Sequence, residues 1–167
     1  PVPQRKGDPV IVSADEGIRP DSSAEALGKL RPAFAKDGTI TAGNASQISD
    51  GAAALVIADR AAAEAAGLPI LAEIVAYWQT AGPDATLHER PAQALEKALA
   101  RSGLAVGDLD LVEFNEAFAA VALWSARLLG IPREKVNVHG GAVALGHPLG
   151  ATGARIVVTL ISALRRR

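Results

Sequence analysis

The part of the chain that most constrains its fold is a glycine-rich stretch at residues 137–155, NVHGGAVALGHPLGATGAR. Its pattern indicates a short strand, a turn at paired glycines, a Gly-His-Pro step and then an apolar helix from about Ala151. Pro148 fixes its own φ and disfavours helical geometry at His147. We therefore expect the imidazole to be held in one direction, with free backbone N–H groups of the following helix turned towards it.

The residues of this stretch leave two interpretations open. Glycine-rich turns between a strand and a helix are common packing devices, and a histidine beside one can be purely structural. The alternative is a histidine in a functional site. The spacing of Gly146, Gly150 and Gly153 excludes a dinucleotide-binding fingerprint, and the absence of a following Gly-Lys-Ser/Thr excludes a P-loop.

The composition excludes several classes of function. Lys and Arg number 17 and Asp and Glu number 18, so no overall basic field for binding nucleic acid is expected. The chain has no cysteine, so it brings neither a disulfide, a thiolate metal site nor a thiol nucleophile of its own. The three histidines, at 88, 139 and 147, lack the spacing of metal ligands, and no metal site is predicted.

The length and the ends of the chain bear on its organisation and location. Its 167 residues suit one domain or parts of two. The chain opens on Pro1-Val2-Pro3 without a methionine, and we interpret it as a segment of a longer protein. No apolar run is long enough to span a membrane and no signal peptide is recognisable, so no membrane partner is predicted and cytoplasm is the expected location.

The hydrophobic pattern predicts alternating strands and helices in the second half of the chain. The predicted helices are 24–30, 59–66, 91–101, 116–129 and 151–164, and the predicted strands are 9–13, 52–58, 70–80, 109–114 and 135–139. The run 52–58 also fits the middle of a helix, but its length and the preceding Asp50-Gly51 favour a strand. The alternation from residue 70 onward favours parallel β-α-β units with helices on the faces of a sheet. Functional groups gather at the carboxyl ends of such strands, where Asn115, His139 and His147 all fall.

Four segments carry a resemblance to a known family. The segments VEFNEAFA at 112–119 and 137–155 resemble the two signature stretches of the C-terminal half of thiolases. The segments RPAF at 31–34 and TAGNAS at 41–46 resemble the family's coenzyme A-facing loop and the start of the strand after it. The resemblance runs along the whole chain and is closest to acetyl-CoA acetyltransferases.

The resemblance implies a partial α/β thiolase-like fold, a parallel-rich mixed sheet with helices on both faces. It implies a division into the end of a loop and coenzyme A-binding region (1–48), the last part of the N-terminal domain (49–70) and an incomplete C-terminal domain (71–167). The helix 116–129 is apolar nearly all round and is expected to be deeply buried.

The resemblance also implies roles for individual residues. His147 corresponds to the histidine that takes the proton of the nucleophilic cysteine and helps to bind the thioester oxygen. Asn115 corresponds to the residue that holds a water completing the oxyanion site. The residues implied to contact the cofactor or the acyl tunnel are Arg19, Ala33, Phe34, Ala42 and Ser46 along coenzyme A, with Ala117 and Phe118 in the tunnel.

The chain departs from the family pattern in ways that limit what it can do alone. The two catalytic cysteines of thiolases have no counterpart here, so we expect this chain by itself to be inactive. Residues 87–91 differ from the usual loop near the acyl pocket, which leaves the preferred acyl length open. His88 and His139 are expected at the surface or in supporting hydrogen bonds, and Glu116 is expected to fix a loop by accepting hydrogen bonds.

Three functions follow as hypotheses. The first is a segment of an acetyl-CoA C-acetyltransferase that condenses two acetyl-CoA to acetoacetyl-CoA or catalyses the reverse thiolysis, with a 3-ketoacyl-CoA thiolase of fatty-acid β-oxidation as its variant. The second is a β-ketoacyl synthase, but the Asn-Glu-Ala-Phe motif at 115–118 disfavours this hypothesis. The third is a non-catalytic coenzyme A-binding or assembly module. Coenzyme A and acetyl-CoA are expected as substrates rather than as covalently bound cofactors. The expected partners are the remaining parts of the same protein and further copies, as a dimer or tetramer.

Overall fold

The computed structural model describes all 167 residues as six α-helices joined by segments with very little strand pairing. The α-helices are α1 (Ala24–Gly28), α2 (Arg60–Ala65), α3 (Arg90–Ser102), α4 (Ala119–Leu129), α5 (Ala142–Leu145) and α6 (Leu149–Leu164), with 3-10 turns at Val106–Asp108 and Arg133–Lys135. Strand pairing is confined to five isolated bridges. No helix is both long and apolar enough to cross a bilayer.

The core lies where α3 and α4 pack together beside the segment 111–115. Its buried cluster consists of Val112, Phe114, Ala122, Ala126 and Ile131. Both helices end at a glycine in left-handed geometry, Gly103 with φ 74° and Gly130 with φ 65°, which is a common C-terminal cap. The core therefore fixes the segment 111–114, and the residue that follows it is Asn115.

Local capping explains where the two short helices begin. The Ser23 hydroxyl accepts from Ala26 N at 3.1 Å and caps the start of α1. The Asp59 carboxylate accepts from Ala62 N at 3.2 Å and caps α2 in the same way. In both cases a side chain satisfies a backbone donor that the first helical turn leaves free.

One parallel bridge joins the segments on which the site depends. Val112 N donates to Lys135 O at 2.8 Å, and Asn137 N donates to Val112 O at 2.9 Å. The pairing stops there because Asn137 takes the positive φ of 46°. Beyond that point the Asn137 side chain takes the place of backbone pairing. Its Oδ1 accepts from Phe114 N at 2.8 Å, and its Nδ2 donates to Phe114 O at 3.0 Å. The predicted strand 135–139 is therefore wrong in extent, although the predicted parallel direction is confirmed.

Two other predicted strands, 52–58 and 70–80, are wrong for this chain. Both segments lack regular secondary structure, and their apolar side chains are largely exposed, with Val56 at 94% and Ile74 at 66%. A strand is stable only when a neighbour pairs with its N–H and C=O groups, and no other segment of the chain pairs with these two. The predicted strand 9–13 is reduced to one antiparallel bridge between Val2 and Val10.

The helix predicted at 116–129 begins three residues later, at Ala119. The backbone just before α4 pairs instead with the segment 44–46, since Ser46 N donates to Ala117 O at 3.1 Å and Ala119 N donates to Asn44 O at 2.8 Å. The expected deep burial of this helix is also wrong, because one face leaves Leu123 59% and Leu128 47% exposed. In addition, α6 begins at Leu149, two residues before the predicted start, and α5 was not predicted.

Glu116 ties together the loop that leads to the Gly-His-Pro step. Its Oε1 accepts from Asn137 Nδ2 at 2.7 Å, and its Oε2 accepts from Val143 N at 3.1 Å in the first turn of α5. Gly141 is buried against this carboxylate, since a Cβ at position 141 would lie 2.1 Å from Cδ of Glu116. The lack of a side chain at 141 thus permits the two hydrogen bonds, as expected for a carboxylate that fixes the loop.

We predict that Gly141→Ala destabilises the chain by about 1–3 kcal/mol, because the methyl group forces the Glu116 carboxylate away from Asn137 and Val143. Gly153→Ala is the matched control, since position 153 lies inside α6 with no atom within 4 Å of the added Cβ. The control should be stabilised by about 0.5–1 kcal/mol through higher helix propensity. Chemical denaturation of the purified variants measures both changes. Equal stability of Gly141→Ala and the unaltered chain would contradict the assigned contact.

Candidate functional site

Asn115 and His147 approach each other at the end of the core segment. Nδ2 of Asn115 lies 3.5 Å from Nε2 of His147, and both residues are half-buried. Asn115 follows the segment that is bridged to Val136, and His147 follows the loop fixed by Glu116. The two side chains therefore come from different elements, 32 residues apart in the chain, and face one another.

The orientation of the His147 ring is set by Thr152 in the first turn of α6. Nδ1 of His147 lies 2.8 Å from the Thr152 hydroxyl, which donates to Pro148 O at 3.0 Å. Because the hydroxyl proton is engaged by that carbonyl, the hydroxyl oxygen accepts from Nδ1–H. The lone pair of the neutral ring then lies on Nε2, which faces Asn115. Thr152 is only 3% exposed, so solvent does not compete strongly for this contact.

A third segment, residues 44–48, holds the two sides of the site together. Ser46 donates twice to Ala117 O, from N at 3.1 Å and from Oγ at 3.0 Å. On its other side, Gln47 O accepts from His147 N at 2.8 Å, and Ile48 forms a parallel bridge with His147. The backbone around the histidine and the backbone after the asparagine are thus joined through one short stretch of the N-terminal part of the chain.

The residues expected to contact coenzyme A or to line the acyl tunnel fall into two groups. Ser46, Ala117 and Phe118 lie beside the Asn115–His147 pair through the pairing just described, and Phe34 packs edge-to-face on Phe118 with ring centroids 6.2 Å apart. Phe34 is 76% exposed, so a flat apolar surface faces solvent next to the site.

The second group is not joined to the site by any direct contact of its side chains. Arg19 is exposed, and its side chain makes no hydrogen bond or ion pair. Ala33 donates from N to Ile40 O at 2.8 Å within its own loop, and Ala42 is exposed in a turn. The structure therefore brings Phe34, but neither Arg19 nor Ala42, into contact with the segments that surround the pair.

A largely apolar cavity of about 340 Å³ borders Asn115. Its lining includes Leu87, Pro91, Ala117 and Ile156. Of the two residues expected to line an acyl tunnel, Ala117 lines this cavity and Phe118 does not. A larger open groove lies elsewhere, over the outer face of α4 beside Trp124 and Arg127, and includes neither residue of the pair.

Two carboxylates and one guanidinium influence each other near the site. Burial raises the pKa of the Glu113 carboxyl above its usual range; the Arg155 guanidinium opposes this shift, and the Glu116 carboxylate adds to it. Asn115 Oδ1 is buried and has no hydrogen-bond partner. No group of three or more His, Asp or Glu side chains with the geometry of metal ligands occurs in the chain.

Sequence reasoning missed two contributors to the site. Thr152 lies within the quoted glycine-rich stretch, five residues after His147, and its hydroxyl is the signal that could have identified it. Gln47 contributes only its backbone carbonyl, which carries no side-chain signal. The other histidines stay outside the site: His139 is exposed, and His88 contacts the core through its carbonyl, which accepts from Ser125 Oγ at 2.9 Å.

The arrangement can perform two chemical tasks. An imidazole with its lone pair on Nε2 can accept a proton from a nearby thiol or carbon acid. The same Nε2, once protonated, and the Asn115 amide can then donate to an oxygen on which negative charge develops.

The known proteins that resemble this chain are thiolases. The family model for the C-terminal domain of thiolases matches residues 68–167, and the model for the N-terminal domain matches residues 1–61. The chain is 57% identical over 166 residues to a probable acetyl-CoA acetyltransferase of Mycolicibacterium smegmatis, a match that covers 99% of the chain and 43% of that protein. It is 54% identical over 164 residues to the peroxisomal 3-ketoacyl-CoA thiolase B of Rattus norvegicus, covering 97% of the chain and 39% of that protein.

Solved structures of thiolases also superpose on the chain. The acetyl-CoA acetyltransferase of Bacillus anthracis superposes with a TM-score of 0.90 at 46% identity, covering 98% of the chain and 42% of that protein. Human mitochondrial 3-ketoacyl-CoA thiolase in complex with CoA superposes with a TM-score of 0.84 at 42% identity, covering 93% of the chain and 40% of that protein. The chain thus spans between 39% and 43% of the length of these relatives. The division at residues 48 and 70 stays a prediction. With its fold and most of its length matched in this way, the chain belongs to the thiolase family and has part of the thiolase fold.

Proposed function

We propose that this chain is the segment of a thiolase that supplies the site histidine, His147, and the oxyanion-site amide, Asn115. The proposed reaction is the condensation of two acetyl-CoA to acetoacetyl-CoA, or the reverse thiolysis. The observation that carries the proposal is the 3.5 Å approach of Asn115 Nδ2 to His147 Nε2. Support for the class of reaction comes from relatives named acetyl-CoA acetyltransferase, at 57% and 46% identity.

His147 would act as a base through Nε2. With Nδ1–H engaged by Thr152, the lone pair of the neutral ring points away from α6 and towards Asn115. A neutral imidazole can take the proton of a thiol; the sulfur then bonds to the thioester carbon while the carbonyl π electrons move to oxygen. This chain contains no cysteine, so the thiol would come from another part of the protein.

Asn115 and the protonated ring of His147 would stabilise the charge that develops on that oxygen. A preorganised donor in such a position is worth about 3–4 kcal/mol of transition-state stabilisation. The oxygen of the Asn115 carboxamide is buried and free of protein partners, so it can accept from a water held beside the reacting oxygen. That use of the carboxamide is the role the family resemblance implies.

Coenzyme A thioesters are the proposed substrates, with no covalently bound cofactor. The exposed ring of Phe34 and the hydroxyl of Ser46 lie beside the segments around the pair, in support of contacts to the coenzyme A arm. A solved relative, the human mitochondrial enzyme, is in complex with CoA. Contacts from Arg19, Ala33 and Ala42 rest on the family resemblance alone.

A second candidate is a 3-ketoacyl-CoA thiolase that cleaves longer acyl chains. The observation that favours it is the apolar cavity of about 340 Å³ beside Asn115, which exceeds what an acetyl group needs and includes Leu87 from the loop that departs from the family pattern. The relative from Rattus norvegicus bears that name. Relative turnover of acetoacetyl-CoA and a medium-chain 3-ketoacyl-CoA distinguishes the two candidates.

The proposed partners are the remaining parts of the same protein and a second copy of the complete polypeptide. Exposed apolar side chains on the unpaired segments 52–58 and 68–80 support association, since such surface is stabilised by burial. A yeast thiolase of the same fold is dimeric. Cytoplasm remains the proposed location, although some relatives are peroxisomal or mitochondrial by name.

We predict that the purified 167-residue chain has no thiolase activity, because it has no thiol to form the acyl intermediate. The measurement is a thiolysis assay with acetoacetyl-CoA and CoA, run beside the complete polypeptide of which the chain is proposed to be a part. Turnover by the chain alone would refute the proposal. Binding of CoA without turnover by the complete polypeptide would favour a non-catalytic module instead.

We predict that His147→Ala in the complete polypeptide lowers kcat for thiolysis about 10²–10⁴-fold, because the base is lost. Asn115→Ala should lower kcat about 10²–10³-fold, because one donor to the developing charge is lost. His139→Ala is the control, since that side chain is exposed and outside the site, and it should leave kcat unchanged. Steady-state kinetics decides, and near-normal kcat in His147→Ala would overturn the proposed roles.

We predict that Thr152→Val lowers kcat about 10–100-fold, because Nδ1–H of His147 loses its acceptor and the ring is no longer held with its lone pair on Nε2. Thr159→Val is a closely matched control: its hydroxyl donates to Arg155 O at 3.0 Å, the same bond within the same helix, but contacts no histidine. Thr152→Ser should restore most of the activity. A similar loss in both valine variants would show that Thr152 acts only through the stability of α6.

A further inference from the structure

The segment 82–89 folds back over the side chain of Arg90, the first residue of α3. This side chain is mostly buried, with 19% of its surface exposed. Its Nη1 donates to Oε1 of Gln93 at 2.8 Å, and its Nη2 donates to Oδ1 of Asp84 at 3.4 Å. Gly82 packs directly on the guanidinium, since a Cβ at position 82 would collide with Nη2. Arg90 therefore ties the start of the segment to the helix that follows it.

The residues on either side of Leu87 are both held by hydrogen bonds. Thr86 N donates at 2.9 Å to Oδ1 of Asp84, the same oxygen that accepts from the guanidinium. His88 O accepts at 2.9 Å from the hydroxyl of Ser125, which is fully buried in α4. Because the backbone is held before and after it, the side chain of Leu87 has a defined place.

Leu87 lines the apolar cavity of about 340 Å³ that borders Asn115. Pro91, the residue after Arg90, lines it as well, but Arg90 itself does not. In the proposed reaction Asn115 serves the oxygen of the thioester carbon, and the acyl chain is bonded to that carbon. An acyl chain that extends from there into the cavity has the side chain of Leu87 as one wall.

We propose that Arg90 positions Leu87 as the wall that limits the length of the acyl chain, and so determines which acyl-CoA thioesters the site accepts. The inference rests on the proposed function, because it takes acyl-CoA as the ligand. Arg90 lies outside the cavity lining, so it is a positioning residue that acts through Leu87. Release of the segment 82–89 then enlarges the space for the far end of a long chain and leaves a two-carbon group unaffected.

The test measures binding of two coenzyme A thioethers, S-ethyl-CoA and S-octyl-CoA, to the complete polypeptide by isothermal titration calorimetry. A thioether has no carbonyl to react, so binding is read without turnover. We expect Leu87→Ala and Arg90→Met each to lower the ratio of the octyl Kd to the ethyl Kd at least fivefold, while the ethyl Kd stays within twofold. Adding Arg90→Met to Leu87→Ala should change that ratio less than twofold, because Arg90 acts through Leu87.

Arg101→Met is the matched control. Arg101 also lies on α3, but its guanidinium lies over the ring of Tyr77, 5.7 Å from the centroid, and the residue does not line the cavity. Both Kd values should stay unchanged in this variant. Gly82→Ala is a second variant that keeps every side chain of the segment and displaces the guanidinium by one methyl group. It should lower the Kd ratio at least threefold, and it decides the test should Arg90→Met not fold.

Four outcomes would overturn the inference. Equal weakening of both thioethers with a lower melting temperature in Arg90→Met would show a merely structural role. An unchanged ratio in Leu87→Ala would remove the wall, and an unchanged ratio in Arg90→Met or, in its place, Gly82→Ala would remove the positioning role. Effects of Leu87→Ala and Arg90→Met that multiply in the double variant would show that the two residues act independently. Absence of S-ethyl-CoA binding to the unaltered polypeptide is a different result, since it would overturn the proposed function and this inference together.

Discussion

The rest of the site depends on one short piece of parallel pairing, the bridge between Val112 and Val136 that the Asn137 carboxamide extends. A single bridge contributes little by itself, but here it is backed by the buried core on one side and by the Glu116 carboxylate on the other. Phe114 is held through both its N–H and its C=O, so the direction of the chain at Asn115 is fixed. Asn115 contacts His147 only because the direction of the chain at Asn115 is fixed.

The two glutamates on either side of Asn115 differ in their hydrogen bonding. Glu116 accepts two hydrogen bonds and closes a loop against a glycine that leaves room for it. Glu113 has a buried oxygen without a hydrogen-bond partner; burial raises the pKa of this carboxyl, and the positive charge of Arg155 opposes that shift. Hydrogen bonds satisfy the Glu116 carboxylate, whereas one oxygen of the Glu113 carboxylate has no hydrogen-bond partner.

The helices were largely predictable because the signals that define them are local. The cap at Asp59 and the glycine stops at Gly103 and Gly130 act within a few residues, and the structure has all three. The strands were not predictable in the same way. The run 52–58 has the composition of a buried strand, yet it is unpaired and exposed, because composition cannot specify which other segment will supply the hydrogen bonds. The start of α4 was misplaced for the same reason, since its first residues pair with the distant segment 44–46.

The sequence by itself determined the candidate pair, the family resemblance and the absence of a thiol, because these reside in residue types and their order along the chain. Only the tertiary structure decided that Asn115 and His147 face one another at 3.5 Å, that Thr152 leaves the lone pair on Nε2, and that Gln47 joins the two sides. The physical reason is that a hydrogen bond depends on distance and direction between groups far apart in sequence. Those quantities exist only once the core, the bridge at Val112 and the loop held by Glu116 have formed together.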